Sequence, residues 1–287
     1  MKHRKVALVA VLLAGAASVA SADDAIPLAS PAPATAQSSI PSAPSESGAP
    51  VQQDAQAQQI IRTADRIRAP NESFRYTVKL NEFQGGKSVM QQTLDISMRF
   101  YKPAERAKKG DARALVRFVE PVKDKGKAML SDYEKMWYYA PDLRRPIPIS
   151  KQQRLIGQIS NGDVVAADFD YSYVSQLQGE EPCGKTVCYR LSLQRRWPFV
   201  TYPKIMYWVE KDTFYPWRAD FMSDSGVVIK RSYYSDYRTE LGQIRPHRIV
   251  VEDSLRKENY TTMDYSDVRF ESLPESYFQV DYLMRMN

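Results

Sequence analysis

The chain has 287 residues, a formal net charge of +6, two cysteines and two histidines. So few nitrogen and sulfur ligands exclude the usual zinc and copper sites, which need several of them. The positive charge is mild and unclustered, so it does not indicate nucleic-acid binding, although it favours anionic lipid surfaces or acidic partners.

The N-terminus has the three parts of a secretory signal peptide. Lys2, Arg4 and Lys5 precede an apolar, alanine-rich run, and a small-residue cleavage site ends at Ala22. The apolar run is short for a membrane span. The cleavage site has no cysteine, so the sequence gives no sign of a lipid anchor. We therefore predict that residues 1–22 are a cleaved signal peptide and that the protein is periplasmic; a retained N-terminal anchor is the alternative.

The following segment, residues 23–57, is rich in alanine, proline, serine and glutamine and has few large apolar residues. Such a composition buries too little surface to offset the entropy of ordering. We predict a disordered tether here, followed by one domain over residues 58–287.

A short amphipathic helix is predicted near the start of this domain. Ile60, Ile61, Ala64 and Ile67 recur at steps of three and four residues. Asp54 is a candidate N-cap and Pro70 a stop signal. The opposite face of the helix is polar and consists of Gln59, Arg62, Asp65, Arg66 and Arg68.

Beyond the helix the apolar residues recur with a period of two, which is typical of β-strands. The stretch 152–178 breaks this pattern and is predicted to be helical or irregular. The predicted strands cover residues 73–83, 91–102, 112–119, 127–132, 135–140, 187–194, 204–210, 216–222, 227–234, 245–251 and 260–270, with 144–149 extended. About 10–11 antiparallel strands usually curl into a barrel or split into a sandwich.

The two cysteines, Cys183 and Cys188, lie in a short turn between predicted strands. In an oxidising compartment such a pair forms a disulfide. Redox catalysis is disfavoured because the C-x-x-C spacing is missing, and a metal site is disfavoured because no histidine is nearby.

The domain offers little catalytic chemistry. His247 is its one histidine, and its position at a strand start indicates a surface or edge residue. Asp163, Asp168 and Asp170 are close in sequence and are interpreted as caps and turns; an oxygen-ligand cation site and a paired-carboxylate hydrolase remain alternatives. No cofactor is predicted, and the protein is interpreted as a binding protein rather than an enzyme.

The middle of the domain carries the string Arg117-Phe118-x-x-Pro121, Lys125-Gly126 and Trp137-x-Tyr139-x-Pro141. In combination with the later segments 168–171 and 207–211, this string resembles the LolA-like family of outer-membrane lipoprotein-sorting proteins, and most closely its uncharacterised branch. The resemblance covers residues 60–287. It implies a mainly β fold, in which an unclosed, curved antiparallel sheet forms a half-barrel with helices packed on its concave face.

The family resemblance also implies a cavity for acyl chains and a carrier of lipids or lipoproteins between membranes. Its partners would be a lipid or lipid-modified protein, an inner-membrane transporter or exporter and an outer-membrane acceptor, with the protein itself a monomer. A non-enzymatic adaptor of an exporter, without lipid cargo, is the alternative. The residues expected at the cavity or its mouth are Leu94, Ile96, Met98, Phe100, Trp137, Tyr139, Arg144 and Arg145.

Overall fold

The computed structural model describes residues 53–70, 72–102, 104–105, 111–166 and 168–286. The predicted signal peptide and nearly all of the predicted tether lie outside these residues. In the described part of the chain, no helix combines the length and apolar composition needed to cross a bilayer.

The first element is helix α1, Ala55–Arg68, which begins three residues before the domain start predicted from composition. Asp54 is its N-cap, because the carboxylate accepts the backbone N–H groups of Gln56 and Ala57 at 2.9 and 3.2 Å. Pro70 follows the helix, as predicted. The apolar stripe is buried, and it packs α1 across several strands of the sheet.

Fifteen strands and one further short helix, α2, follow α1 in the described residues. Their bounds are β1 Phe74–Gln84, β2 Lys87–Phe100, β3 Ala112–Glu120, β4 Ala128–Ser131, β5 Met136–Tyr139, β6 Ile147–Ile149, β7 Arg154–Ile156, β8 Ile159–Ser160, α2 Phe169–Ser172, β9 Tyr173–Cys183, β10 Thr186–Arg195, β11 Lys204–Glu210, β12 Pro216–Met222, β13 Val228–Glu240, β14 Gln243–Asp253 and β15 Tyr260–Phe270. Two 3-10 helices, Glu275–Phe278 and Val280–Arg285, come last.

Thirteen strands form one antiparallel sheet in the order β6-β5-β4-β3-β2-β1-β15-β14-β13-β12-β11-β10-β9. The edge strands β6 and β9 do not pair with each other, so the sheet is open, which confirms the predicted half-barrel class. Strands β7 and β8 form a separate hairpin.

The sheet has two more strands than the upper end of the prediction: β6, in the stretch 144–149 that was predicted only to be extended, and β9, which begins within the region 152–178. This region contains the β7–β8 hairpin, α2 and the start of β9, where a helical or irregular stretch was expected. Strand β9 is hard to detect because its second half carries Gly179, Glu180, Glu181 and Pro182. These residues are tolerated because β9 is an edge strand.

The two faces of the sheet bury different side chains. The inner face carries α1 and α2 and includes Val78, Leu94, Ile96 and Val116. The outer face packs under the C-terminal 3-10 helices, where Leu115, Leu130 and Tyr139 contact Phe278 and Leu283. Neighbouring residues of one strand, such as Leu115 and Val116, therefore belong to different cores.

Candidate ligand cavity

A partly enclosed cavity of about 170 Å³ lies on the inner face, between the core around β1–β3 and the core under α1. Most of its wall is apolar or aromatic, which suits a hydrocarbon ligand. This part of the wall includes Phe74, Tyr76, Met98, Phe169, Phe221, Val251 and Met263. The charged or titratable groups at the wall include Arg68, Lys151, Asp163, Arg245 and His247.

Helices α1 and α2 are tied together beside the cavity by one buried carboxylate. Asp65 Oδ2 accepts the backbone N–H groups of Phe169 and Asp170 at 2.7 and 2.8 Å. The other oxygen, Oδ1, accepts Arg68 Nη2 at 2.8 Å. Burial raises the pKa of Asp65, whereas the Arg68 guanidinium and the two N–H donors favour its ionised form. The carboxylate caps α2 and positions Phe169, whose ring lies 3.9 Å below the Arg68 guanidinium carbon.

The C-terminal end of α1 is held by the sheet. Arg245 of β14 donates from Nη1 to the backbone carbonyls of Arg66 and Ile67 at 2.7 and 3.2 Å. These carbonyls have no partner within the helix, and a cation near them is favoured by the helix dipole. The C-terminal half of α1 is therefore held by polar contacts, through Asp65 and Arg245, and not by apolar packing alone.

A second buried charge pair joins the loop after β8 to the sheet. Lys230 of β13 binds Asp163, and its Nζ also donates to the carbonyl of Gln158 at 2.9 Å. The Tyr202 hydroxyl lies 3.0 Å from Asp163 Oδ1. Burial lowers the pKa of Lys230, and the negative charge of Asp163 opposes this effect. Of the two, only Asp163 is part of the cavity wall, and the pair leaves both buried groups with partners.

Lys151 lies at the rim of the cavity, in the turn after β6. Its Nζ donates to the backbone carbonyl of Tyr133 and lies 5.3 and 5.7 Å from the ring centroids of Tyr133 and Phe199. These aromatic faces attract the ammonium group, but they replace its water only in part. Burial lowers the pKa of Lys151 to about 8.

His247 is buried rather than exposed, so the prediction of a surface or edge residue is wrong. It lies in the first half of β14, where its buried side chain lines the cavity. Nδ1 lies 3.2 Å from the carbonyl oxygen of Tyr265, and Nε2 lies 3.1 Å from a carboxylate oxygen of Glu240. Both ring nitrogens therefore have partners within the fold.

The structure separates the residues that were predicted to bind ligand. Of the four on β2, Met98 lines the cavity, Leu94 and Ile96 are packed within the inner core, and Phe100 packs at its edge. Their common face was correctly predicted, but only one of them reaches the open space.

The other four predicted cavity residues lie elsewhere. Trp137 and Tyr139 are on the outer face, against the C-terminal 3-10 helices, so the expectation that they line the cavity is corrected. The period of two shows that they share a face, but not which face is inner; Tyr138, between them, packs on the inner core. Arg144 and Arg145 are exposed on the β5–β6 connection and are not part of the cavity wall.

The three aspartates that were hydrolase candidates have separate structural roles. Asp163 binds Lys230, Asp168 caps α2 by accepting the N–H of Tyr171 at 2.9 Å, and Asp170 pairs with Arg62 at 3.1 Å. The interpretation as caps and turns fits Asp168 and also Asp163, which accepts the N–H of Ser160 at 2.7 Å, whereas Asp170 forms an ion pair. Within the described residues, no group of three or more histidine, cysteine or acidic side chains is arranged to hold a metal ion.

The predicted disulfide is confirmed. Cys183 and Cys188 are bonded across the β9–β10 hairpin, with their Cα atoms 5.7 Å apart. The bond lies on the outer face beside Trp208 and not at the cavity. Its structural contribution is therefore separate from any ligand site.

Sequence reasoning missed the charged residues of the cavity. Asp65 and Arg68 were assigned to a polar helix face, yet their side chains are only 9% exposed. Their spacing of three residues was the available signal, because it places opposite charges side by side on a helix. Lys151 and Lys230 had no such signal, because their neighbours come from distant parts of the chain.

An open antiparallel sheet with few helices defines the fold class of this protein, and solved structures share this fold. A LolA superfamily protein from Nitrosomonas europaea is 32% identical, with a TM-score of 0.71 over 79% of this chain and 98% of its own. The chain therefore belongs to the LolA superfamily. A family model described as "Uncharacterized protein" matches residues 110–285.

Two more distant structures show the same fold. A DUF1329 family protein from Desulfovibrio piger is 23% identical with a TM-score of 0.68, over 79% of this chain and 98% of its own. An outer membrane lipoprotein-sorting protein domain from Vibrio parahaemolyticus is 18% identical with a TM-score of 0.66, again over 79% and 98%. No curated protein sequence matches the chain.

Proposed function

We propose that this protein is a periplasmic carrier, which shelters the acyl part of a lipid or lipid-modified protein in its cavity and passes it between membranes. The observation that supports this proposal most directly is the largely apolar cavity under α1 and α2. The proposed periplasmic location is supported by membership of the LolA superfamily and by the predicted signal peptide. We further propose that the donor is an inner-membrane transporter and that the acceptor lies in the outer membrane. The carrier itself is proposed to be monomeric and non-enzymatic.

The energetics favour a carrier that needs little polar recognition of the tail. Each buried methylene is worth about 0.8 kcal/mol, both in a protein cavity and in a bilayer. Transfer between the two is therefore nearly balanced, and small changes in the cover of the cavity decide between loading and release.

The cavity size indicates that the cover must move. An apolar cavity of roughly 150 Å³ holds one benzene ring, and the cavity here measures about 170 Å³. A long acyl chain therefore fits only partly in this conformation. We propose that α1 and α2 swing outward together when a tail is loaded, since Asp65 joins them.

The test is native mass spectrometry of protein purified under mild conditions, with a cavity-filling variant and a matched control. Ala112 lines the cavity, whereas Ala104 is exposed, so Ala112→Leu fills the space and Ala104→Leu repeats the same change outside it. We expect lipid-sized adducts on the wild type and Ala104→Leu, and a reduced fraction on Ala112→Leu.

A wild-type protein that stays free of lipid, even after incubation with bilayer vesicles, would contradict the carrier and favour the exporter adaptor. Equal lipid occupancy in the two variants would show that the bound lipid lies outside the cavity. Turnover of a glycan that is lost in Asp168→Asn would instead favour the hydrolase.

A further inference from the structure

The cations at the cavity wall differ in how they are compensated. Arg68 is paired with Asp65, and Arg245 lies against the carbonyls at the C-terminal end of α1. Lys230, which does not itself line the cavity, is paired with the wall residue Asp163. Lys151 has no carboxylate within ion-pair distance among the residues that the structure describes; the charges that face it, Asp132 and Glu134 of the β4–β5 turn, act only from farther away.

The surroundings of Lys151 are those of a rim rather than of a closed core. Tyr133 and Phe199 flank its ammonium group, and Tyr133 also contacts the ring of Tyr171, with ring centroids 5.3 Å apart. Trp197 stacks on Phe199 and is 41% exposed, so this aromatic cluster reaches from the cavity to solvent. A desolvated cation at such a boundary is suited to a ligand that has one charged end and one apolar end.

We propose that Lys151 binds the anionic headgroup, a carboxylate or a phosphate, of an amphiphile whose hydrocarbon tail occupies the cavity. The proposal rests on the carrier function above and specifies its ligand class. In the bound state the ammonium group gains the counter-ion that it lacks, in a poorly hydrated site where a charge-assisted hydrogen bond is stronger than in water.

The test compares ligands that have the same tail and different heads. Decanoate, decyl phosphate and 1-decanol are titrated by calorimetry into the wild type and into Lys151→Met, Lys151→Arg and Lys211→Met. The last variant removes a lysine that pairs with Glu180 on the surface and does not line the cavity. Acetate and inorganic phosphate are titrated separately, to distinguish a free anion from a headgroup.

We expect Lys151→Met to lower the affinity for decanoate and decyl phosphate about tenfold or more, as is usual for the loss of a charged hydrogen bond. The affinity for 1-decanol should be unchanged. Lys151→Arg should retain most of the anion affinity, and Lys211→Met all of it. Circular dichroism checks that each variant is folded, so that a loss confined to the anionic ligands reports on the headgroup and not on the fold.

Four results would overturn the headgroup site. The first is that Lys151→Met lowers the affinity for all three ligands equally. The second is that Lys151→Met lowers the affinity for none of them. The third is free phosphate binding as tightly as decyl phosphate. If the wild type binds none of the decyl compounds, the carrier function itself fails; tight binding of 1-decanol without preference for the anions is the fourth result and removes only the headgroup site.

Discussion

Gly162 packs so closely on Thr201 that a Cβ at Gly162 would lie 2.1 Å from Thr201 Oγ1. Both residues line the cavity, and the N–H of Gly162 donates to the carbonyl of Lys151 at 2.9 Å. The contact therefore holds the turn with Lys151 against the β10–β11 loop. Only a residue without a side chain permits this approach.

Gly162→Ala should destabilise the fold by about 1–3 kcal/mol, the usual cost of overpacking. Thr201→Ala removes the closest atom and leaves only its Cβ, 3.1 Å from the new methyl group. The double variant should therefore lose less stability than the sum of the single variants, as measured by urea denaturation. Additive losses would show that the close contact is not the source of strain.

Asp65→Asn should loosen the cover of the cavity. The amide retains one acceptor oxygen for the N–H groups of Phe169 and Asp170, but it leaves the Arg68 guanidinium without its buried counter-ion. Removing one partner of a buried pair typically costs about 3–5 kcal/mol. We expect a lower Tm and faster hydrogen exchange in α1 and α2, measured by mass spectrometry.

Asp170→Asn is the matched control, since it removes the partner of Arg62, whose side chain is 44% exposed. An exposed pair contributes about 0–1 kcal/mol, so this variant should keep the exchange pattern of the wild type. Faster exchange over the whole sheet in Asp65→Asn would instead indicate global unfolding and contradict a local role for Asp65.

Removing the disulfide should lower stability without affecting the cavity. For a loop as short as that between Cys183 and Cys188, the chain-entropy account gives roughly 2 kcal/mol. Because the bond packs with Trp208 on the outer face, the Cys183→Ala/Cys188→Ala variant should bind decanoate as the wild type does. Urea denaturation and calorimetry test the two statements separately, and weaker binding would show that the edge hairpin is coupled to the cavity.

The sequence predicted the architecture well because apolar and polar residues alternate within each strand, where the pattern can be recognised without knowing the rest of the fold. Leu94, Ile96 and Met98 share the inner face, as their spacing indicates, and the β9–β10 disulfide follows from composition and compartment. Alternation cannot tell which face is covered by helices, so Trp137 and Tyr139 were placed on the wrong side.

The polar groups of the cavity could not be predicted for a different physical reason. Lys151 meets Tyr133 and Phe199 only after three separate turns come together, and none of the three segments is distinctive alone. Asp65 was assigned to a solvated helix face because nothing in α1 indicates that α2 will cover that face. The polar contacts of the cavity are thus long-range ones, which join segments far apart in the sequence.

Binding of an anionic amphiphile should weaken as the pH rises through about 8, because burial lowers the pKa of Lys151 to about 8. Below this pH the lysine is charged and attracts the headgroup; above it the free protein holds a neutral amine. Burial raises the pKa of the adjacent Tyr133, which therefore stays neutral over this range. Asp132 and Glu134, the carboxylates that face Lys151, oppose its neutralisation but do not reverse the direction.

The measurement is calorimetric titration of decanoate, whose carboxylate stays ionised throughout, at pH 6.5, 8 and 9.5 in buffers of matched ionic strength, with 1-decanol as the neutral reference. Affinity for decanoate should fall severalfold between the first and last pH, by up to about tenfold per pH unit above the pKa, while affinity for 1-decanol stays constant. Lys151→Arg should abolish the pH dependence, because a guanidinium remains charged over the whole range. A wild-type profile that is retained in Lys151→Met would assign the titration to another group and contradict the role of Lys151.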